Sequence, residues 1–155
     1  MATIRSLMVT ETVGVKPEDS VATAADRMCQ NRIGAVLIED KGELLGLFSE
    51  RDLLTRVVAA GLDPKTTPVG QVCTGTVATI EVDQPLRQVL ELFRQRKFRH
   101  LPVLQNGKAV GILSTRDFLA WLVDGLERYI DESRYRAGLA EGIDPYDHLG
   151  GSYGR

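Results

Sequence analysis

Apolar positions early in the chain follow a helical period and then a strand-like one. Four of them have the i, i+3, i+4, i+7 spacing of a helix that buries one face. Two short apolar runs follow, AVLIE at residues 35–39 and LLGLF at residues 44–48, separated by a turn that contains Gly42. This pattern predicts an amphipathic helix and then a β-hairpin. The helical positions are Val21, Ala24, Ala25 and Met28.

The same pattern recurs without a gap at an offset of 65 residues, the separation of Ser49 and Ser114. HLPVL at residues 100–104 and AVGIL at residues 109–113 match the two hairpin strands, and Gly107 matches Gly42. Short opening strands are expected near residues 13–16 and 79–82. Each half therefore predicts strand, helix, strand, strand, helix. The helical positions of the second half are Leu86, Val89, Leu90 and Phe93.

Two such halves are expected to form one α+β fold, because a single half is too small to cover its own sheet. We expect two repeats related by a pseudo-twofold axis and packed through their sheets. The first repeat is predicted over residues 1–68 and the second over 69–130, with a connector rich in proline and glycine at residues 61–70. Residues 131–155 are predicted to be a C-terminal extension, first a helix end and then a mobile tail.

Composition narrows the functional classes. The chain has 155 residues, 43% of them hydrophobic and 26% charged, without an apolar run of the ~20 residues that a membrane helix needs. The N-terminus lacks the pattern of a secretory signal, so we expect no membrane association and a cytoplasmic location. A net charge of −2 argues against nucleic-acid binding.

The basic run at residues 94–100 is equally compatible with a solvated helix end and with a functional role. Cys29 and Cys73 are expected to be reduced thiols, and no metal site is expected.

The repeated Ser-x-Arg-Asp has two readings. It stands in GLFSERDLL at residues 46–54 and in GILSTRDFL at residues 111–119. Serine followed three residues later by an acid is close to a capping box, which explains one copy. Capping requires neither the arginine nor an exposed carboxylate at the same place twice. A strand that ends at a helix N-terminus also suits a phosphate, with arginine as a bidentate donor and aspartate as an acceptor from a ribose diol.

With these motifs in both halves, the chain resembles a tandem pair of cystathionine-β-synthase (CBS) domains, known as a Bateman module, over roughly residues 4–126. RIGAVLIED and FRHLPVLQN, in the middle of the two halves, belong to the same resemblance. The resemblance implies two clefts that bind adenosine-containing ligands such as AMP, ADP, ATP, NAD(H) or S-adenosylmethionine. It also implies a regulatory role and a homodimer. The exact ligand and the regulated partner are not specified by it.

By position in the family motif, Asp52 and Asp117 would each accept from a ribose diol. Phosphate contacts would come from Ser49, Arg51, Ser114 and Arg116. The cleft of Asp52 would have Val77, Ala78, Phe98 and Arg99 as its other wall, with His100 near the centre. The cleft of Asp117 would have Val13, Ile33, Gly34 and Ala35.

The two clefts are not expected to be equivalent. Gly34 and Ala35 stand where the second half has Arg99 and His100. Thr115, itself placed in the ligand site, replaces Glu50, and the missing negative charge should favour phosphate in the cleft of Asp117. His100 is as well explained by a hydrogen-bonded strand histidine as by a ligand contact.

The favoured function is a stand-alone sensor that binds an adenine nucleotide, AMP first and ATP or NAD(H) as alternatives, and acts on a partner protein. No cofactor is required for it. An interaction domain with empty clefts is the alternative. An enzyme is disfavoured because the chain has no P-loop lysine motif, no His-Glu-x-x-His and no Gly-x-Ser-x-Gly.

A homodimer is expected through the two amphipathic helices that follow the two Ser-x-Arg-Asp motifs. Their apolar positions are Leu53, Leu54, Val57, Val58, Phe118, Trp121, Leu122 and Leu126.

Overall fold

A computed structural model describes residues 3–95 and 99–141. The chain divides into two units, Met1–Arg116 and Asp117–Arg155. The first unit contains both sheets. Phe98, together with most of the predicted tail, lies outside the described residues.

The first repeat contains a three-stranded sheet and the helices that cover it. A short 3-10 helix, Ile4–Ser6, precedes the sheet. Strand β1 (Gly14–Val15) pairs in parallel with β2 (Ala35–Asp40), and β2 pairs antiparallel with β3 (Glu43–Ser49). Helix α1 (Val21–Asn31) connects the parallel pair, with Ser20 as its N-cap. After β3 come α2 (Glu50–Asp52) and π-helical turns (Leu53–Val58).

The second repeat has the same order of elements. Helix α3 (Val69–Val72) precedes its sheet, in which β4 (Ile80–Glu81) is parallel to β5 (His100–Gln105) and β5 is antiparallel to β6 (Lys108–Ser114). Helix α4 (Leu86–Gln95) connects the parallel pair. Helix α5 (Thr115–Ala140) follows β6 directly. The predicted strand, helix, strand, strand, helix order and the α+β class are confirmed.

The two hairpins share their turn type and their irregularity. Both central residues of each turn have positive φ: Lys41 and Gly42 at 51° and 84°, Asn106 and Gly107 at 54° and 78°. These are the angles of the tight turns whose twist matches that of paired strands. A register shift follows Ile38 in the first hairpin and Val103, its equivalent, in the second. The 65-residue repeat is therefore one of backbone geometry as well as of sequence.

Strand β2 is buried on both faces, so the first sheet lies between two apolar layers. On one face, Val36, Ile38 and Phe48 pack with the buried face of α1 and with Val57 and Val69. The other face carries what we call the intersheet cluster. It contains Ala35, Leu37 and Leu47, packed by Leu44, Val77, Ala109 and Ile112. Since Ala109 and Ile112 belong to β6, the two sheets pack against each other, as the sequence predicted.

Each sheet also pairs with backbone of the other repeat, from the segment that precedes the sheet of that repeat. We call these pieces the exchanged segments, Met8–Val9 and Cys73–Thr74. Val9 forms an antiparallel bridge with Ile112 of β6, and Thr74 forms one with Leu47 of β3. In both bridges the backbone N–H groups donate in both directions, at 2.9–3.0 Å. The open edge of each hairpin is thereby closed by chain that leads into the other repeat.

The exchanged segments explain a glycine in each motif. A Cβ on Gly46 would lie 2.8 Å from the Thr74 carbonyl oxygen and 3.0 Å from the Cys73 Sγ. A Cβ on Gly111, the equivalent residue, would lie 2.6 Å from the Met8 Sδ. Glycine at the start of Gly-x-x-Ser-x-Arg-Asp therefore gives the exchanged segment room to reach the strand.

Three local predictions differ from the structure. The connector does not extend to residue 70, because Val69 begins α3 and is fully buried. The helix after Ser49 is not a regular α-helix: Ala59 donates to the Leu54 carbonyl, five residues back. Leu90, predicted on the buried face of α4, is 43% exposed, whereas Val89 is buried.

Candidate functional site

The N-terminus of α2 is closed by the capping box that the motif predicts. Ser49 has extended backbone angles, and its Oγ accepts from the Asp52 N–H at 3.3 Å. The Asp52 Oδ2 accepts from the Ser49 N–H at 3.0 Å and from the Ser49 Oγ at 2.8 Å. The capping reading is thus confirmed for the first copy. It accounts for the serine and for one oxygen of the aspartate.

The second oxygen of Asp52 faces a different set of donors. The Asp52 Oδ1 lies 3.4 Å from the Thr74 Oγ1 and 3.4 Å from the Arg56 Nε. The residue is 8% exposed. The expectation of an exposed carboxylate was wrong, because the second exchanged segment and Arg56 cover it. Both contacts to Oδ1 are long, so this oxygen is less firmly engaged than Oδ2.

Arg56 connects this carboxylate to the backbone of the second repeat's leading segment. Its Nη1 donates to the carbonyl oxygens of Val72 and Cys73, at 3.2 and 2.7 Å. The Arg56 guanidinium therefore joins the helix after Ser49 to the second exchanged segment. In the same segment, the Cys73 thiol donates to the Gly70 carbonyl at 3.5 Å, and burial raises the pKa of that thiol.

A cleft of about 630 Å³ opens beside Asp52. Such a volume is within the range of ligand-binding pockets. Its described lining includes seven residues that the sequence placed in this cleft: Ser49, Arg51, Asp52, Val77, Ala78, Arg99 and His100. Phe98, predicted beside them, lies outside the described residues. Gly34, predicted for the cleft of Asp117, also lines this one.

The lining also contains five residues that were not among the predicted site residues. They are Leu47, Glu50, Leu54, Thr74 and Thr76. Sequence reasoning considered Glu50 only for its charge. Thr74 lies in the second exchanged segment, and Thr76 follows it toward β4. The only signal for them was indirect: paired glycines at 46 and 111 indicate a backbone that approaches closely, without saying which one.

One part of the cleft wall contains residues from both repeats. The Glu50 N–H donates to the Gly34 carbonyl at 3.0 Å. A Cβ on Gly34 would lie 3.5 Å from the Glu50 Oε2 and 3.4 Å from the His100 Nε2. The carboxylate and the imidazole therefore converge over the bare Cα of Gly34, where a side chain would fill the space between them.

The second copy of the motif repeats the backbone connection. Ser114 ends β6 and is half-buried. The Thr115 N–H donates to the Arg99 carbonyl at 2.8 Å, and its Oγ1 donates to the same oxygen at 3.2 Å. Arg116 ends the first unit, and Asp117 is an acidic residue of the first turn of α5. Whether these four residues form a ligand cleft stays a prediction.

The opposite wall predicted for that cleft is located in the first repeat. Val13 and Ile33 are half-buried and pack against the core beneath α1. Ala35 is buried in the intersheet cluster. Their placement is explained by packing, and a contact with ligand from these residues stays a prediction.

Within residues 3–95 and 99–141, no helix is long and apolar enough to cross a membrane. Within the same residues, no group of three or more His, Cys, Asp or Glu side chains is arranged to hold a metal ion.

Comparison with known proteins identifies the family to which the chain belongs. The CBS domain model matches twice, at residues 4–59 and 69–124. The CBS domain-containing protein CBSCBSPB5 of Arabidopsis thaliana is 30% identical over 92% of this chain, which spans only 26% of that relative. The crystal structure of a CBS-domain containing protein from Agrobacterium tumefaciens is 31% identical with a TM-score of 0.70, covering 77% of this chain and 98% of that one.

A second similar structure contains a ligand. A CBS domain protein from Pyrobaculum aerophilum, complexed with AMP, is 26% identical with a TM-score of 0.68 and covers 75% of this chain and 89% of that one. The two family matches coincide with the two repeats of the fold. The chain belongs to the CBS domain family and carries two CBS domains in tandem.

Proposed function

We propose that this chain is a regulatory sensor that binds an adenosine-containing ligand and, through it, modulates a partner protein. AMP is the favoured ligand, with ATP and NAD(H) as alternatives, and no catalytic role is assigned. The observation that carries the proposal is the cleft beside Asp52, where a strand end, a capped helix start, two arginines and apolar residues of the other repeat meet. The AMP complex of the Pyrobaculum aerophilum protein supports it.

Each part of a nucleotide has a matching group in this cleft. The Asp52 Oδ1, with its two long contacts, is the oxygen placed to accept from a ribose hydroxyl. Arg51 and Arg99 supply positive charge for a phosphate. Val77 and Ala78 are half-buried and present apolar surface and backbone groups for the base. Ribose, phosphate and purine would then be held by three different elements.

A ligand held this way would contact both repeats at once. Ser49 and Arg51 belong to the first repeat, whereas Thr74, Val77 and Arg99 come from the segment that leads into the second repeat and from that repeat itself. Binding can shift a conformational equilibrium only by its difference in affinity between two arrangements. Contacts on both sides of the cleft would provide that difference and so a signal to a partner.

Replacing Arg51 with alanine tests the phosphate role. Arg51 is exposed, so its side chain is dispensable for burial. We expect AMP affinity to fall roughly ten- to a hundredfold, since a charge-assisted hydrogen bond contributes ~1.5 to 3 kcal/mol. Adenosine affinity should change little. Titration calorimetry of both ligands measures the difference.

Arg87→Ala is the matched control, because Arg87 is an exposed arginine of α4 outside the cleft lining. It should leave both affinities unchanged. Equal losses in the two variants, or no AMP binding by the native protein, would contradict the sensor proposal. Hydrolysis of ATP or AMP during the titration would favour an enzyme.

An interaction module with empty clefts is a second candidate. The observation in its favour is that the protein itself supplies donors to both oxygens of Asp52. In that case the motif would serve as a helix cap and a tie to the exchanged segment. The same calorimetry decides, because such a module would bind none of AMP, ATP and NADH.

We also propose that the protein forms a homodimer through its amphipathic helices. Leu54 and Val58 of the π-helical turns are each 62% exposed, and Leu122 and Leu126 of α5 are 39% and 54% exposed. Exposed apolar side chains in such numbers are typical of interfaces. Light scattering at micromolar concentration should give a dimer mass, and Trp121 fluorescence should shift on dilution. A monomer mass throughout would disprove the proposal.

A further inference from the structure

The cleft beside Asp52 carries an acid that a phosphate site does not need. Glu50 is the first residue of α2, and its side chain lies against Gly34 and near His100, with Oε2 3.5 Å from the position of a Cβ on Gly34. It is also part of the cleft lining. The carboxylate therefore lines the same cleft as Arg51 and Arg99, the arginines proposed to contact a phosphate.

The fold itself does not require this carboxylate. The structural role of Glu50 is the backbone hydrogen bond from its N–H to the Gly34 carbonyl. Thr115, the equivalent residue of the second repeat, makes the same backbone bond to the Arg99 carbonyl with a neutral side chain. The second repeat thus serves as an internal control: a strand end and a following helix form there with threonine, and without an acid, at this position.

Glu50 changes the charge that the cleft offers to a ligand. Asp52 is paired with Arg56, which is outside the described lining. With His100 counted as neutral, the remaining formal charges of the described lining are those of Arg51, Arg99 and Glu50, a net of about one positive charge. A phosphate monoester carries about −1.5 to −2 at neutral pH. Each further phosphate adds charge that these residues leave uncompensated.

We propose that Glu50 makes the cleft beside Asp52 selective for ligands with a single phosphate, by repelling the additional phosphates of di- and triphosphates. The inference rests on the proposed binding function and deepens it. Repulsion between like charges across a partly desolvated cleft is several times larger than in bulk water. It acts on the terminal phosphates and hardly on the nucleoside.

The test compares adenosine, AMP and ATP, without divalent cations, in Glu50→Gln. All titrations use an Arg116→Ala background to weaken the second predicted cleft. With Glu50 present, AMP should bind more tightly than ATP. Glu50→Gln should raise ATP affinity roughly tenfold, AMP affinity by about two- to threefold, and adenosine affinity not at all.

Glu43→Gln provides a matched control with the same change in charge. Glu43 begins β3, six residues before Ser49, which at about 3.3 Å per residue is roughly 20 Å and beyond the ~10 Å Debye length at 0.1 M salt. It should leave the ratio of ATP to AMP affinity unchanged.

The possible failures are distinguishable. If the Arg116→Ala protein and its Glu50→Gln derivative both bind AMP and have the same ratio of ATP to AMP affinity, the charge selection is wrong and the binding function stands. If Glu43→Gln shifts the ratio as much as Glu50→Gln, the effect belongs to overall charge and the inference is also wrong. If neither protein binds any of the three ligands, both proposals fail together.

Discussion

Gly46→Ala is expected to lower the free energy of unfolding by about 1 to 3 kcal/mol, the cost of forcing extra atoms into a packed site. The new Cβ would lie 2.8 Å from the Thr74 carbonyl oxygen, a backbone atom that is bonded to the Leu47 N–H at 3.0 Å. The exchanged segment must move or the strand must bend, and either change weakens the bridge between Leu47 and Thr74. Denaturant unfolding followed by circular dichroism measures the loss.

Two other glycines calibrate this result. Gly75 is an exposed neighbour of the exchanged segment, and a Cβ there would meet nothing within 4 Å, so Gly75→Ala should be close to neutral. Gly111→Ala should fall between the two, because its nearest obstacles are the Sδ and Cγ of the flexible Met8 side chain, whereas the Val9 carbonyl oxygen is farther away at 3.0 Å. If Gly46→Ala were as stable as Gly75→Ala, the exchanged segment would not be fixed on β3 as described.

Asp52→Asn is expected to reduce AMP affinity ten- to a hundredfold and to lower the free energy of unfolding by about 1 to 2 kcal/mol. The amide has one acceptor oxygen in place of two, so it cannot serve the Ser49 donors and a ribose hydroxyl together. Losing a charge-assisted hydrogen bond in a desolvated cleft costs ~1.5 to 3 kcal/mol of binding. The stability effect is smaller, because Arg56 is 46% exposed and its ion pair is screened by solvent.

Arg56→Met separates ligand binding from support of the fold. It removes the ion pair and the bonds to the Val72 and Cys73 carbonyls but leaves the carboxylate in place. Stability should fall as in Asp52→Asn, whereas AMP affinity should fall much less. If both variants lost the same affinity, Asp52 would act by holding the exchanged segment, and its proposed contact with ribose would be wrong.

The fold was predictable because the same pattern of apolar positions occurs twice in the sequence. A single apolar run such as residues 35–39 is ambiguous between strand and helix, but the same run at a fixed offset, with a glycine in the same turn, removes the ambiguity. What could not be predicted depends on contacts across the repeats. Leu90 occupies a position equivalent to half-buried Ala25 and is nevertheless 43% exposed. The burial of a helix residue depends on which other elements pack against the helix, and the spacing of apolar residues does not specify these.

The site was predictable to the extent that it is local. Ser49, Arg51 and Asp52 form one contiguous motif, and the capping box follows from their spacing alone. Thr74 and Arg56 were missed because their role depends on which strand the exchanged segment reaches, a long-range pairing that no local pattern encodes. The same pairing buries Asp52, and so the motif could suggest an acceptor but not its degree of exposure.

The exchanged segments also determine how the molecule comes apart. Neither sheet has its hairpin edge, β3 or β6, paired without backbone of the other repeat, because Val9 forms the bridge with Ile112 and Thr74 the bridge with Leu47. Cleavage of the chain between residues 60 and 68 would therefore yield two fragments, each with an unpaired edge strand, β3 in one and β6 in the other. Such an edge can pair with a strand of another protein molecule and so promote aggregation. A single CBS domain is the repeat of the sequence, but it is not expected to unfold on its own. The two sheets should therefore unfold together, in one transition.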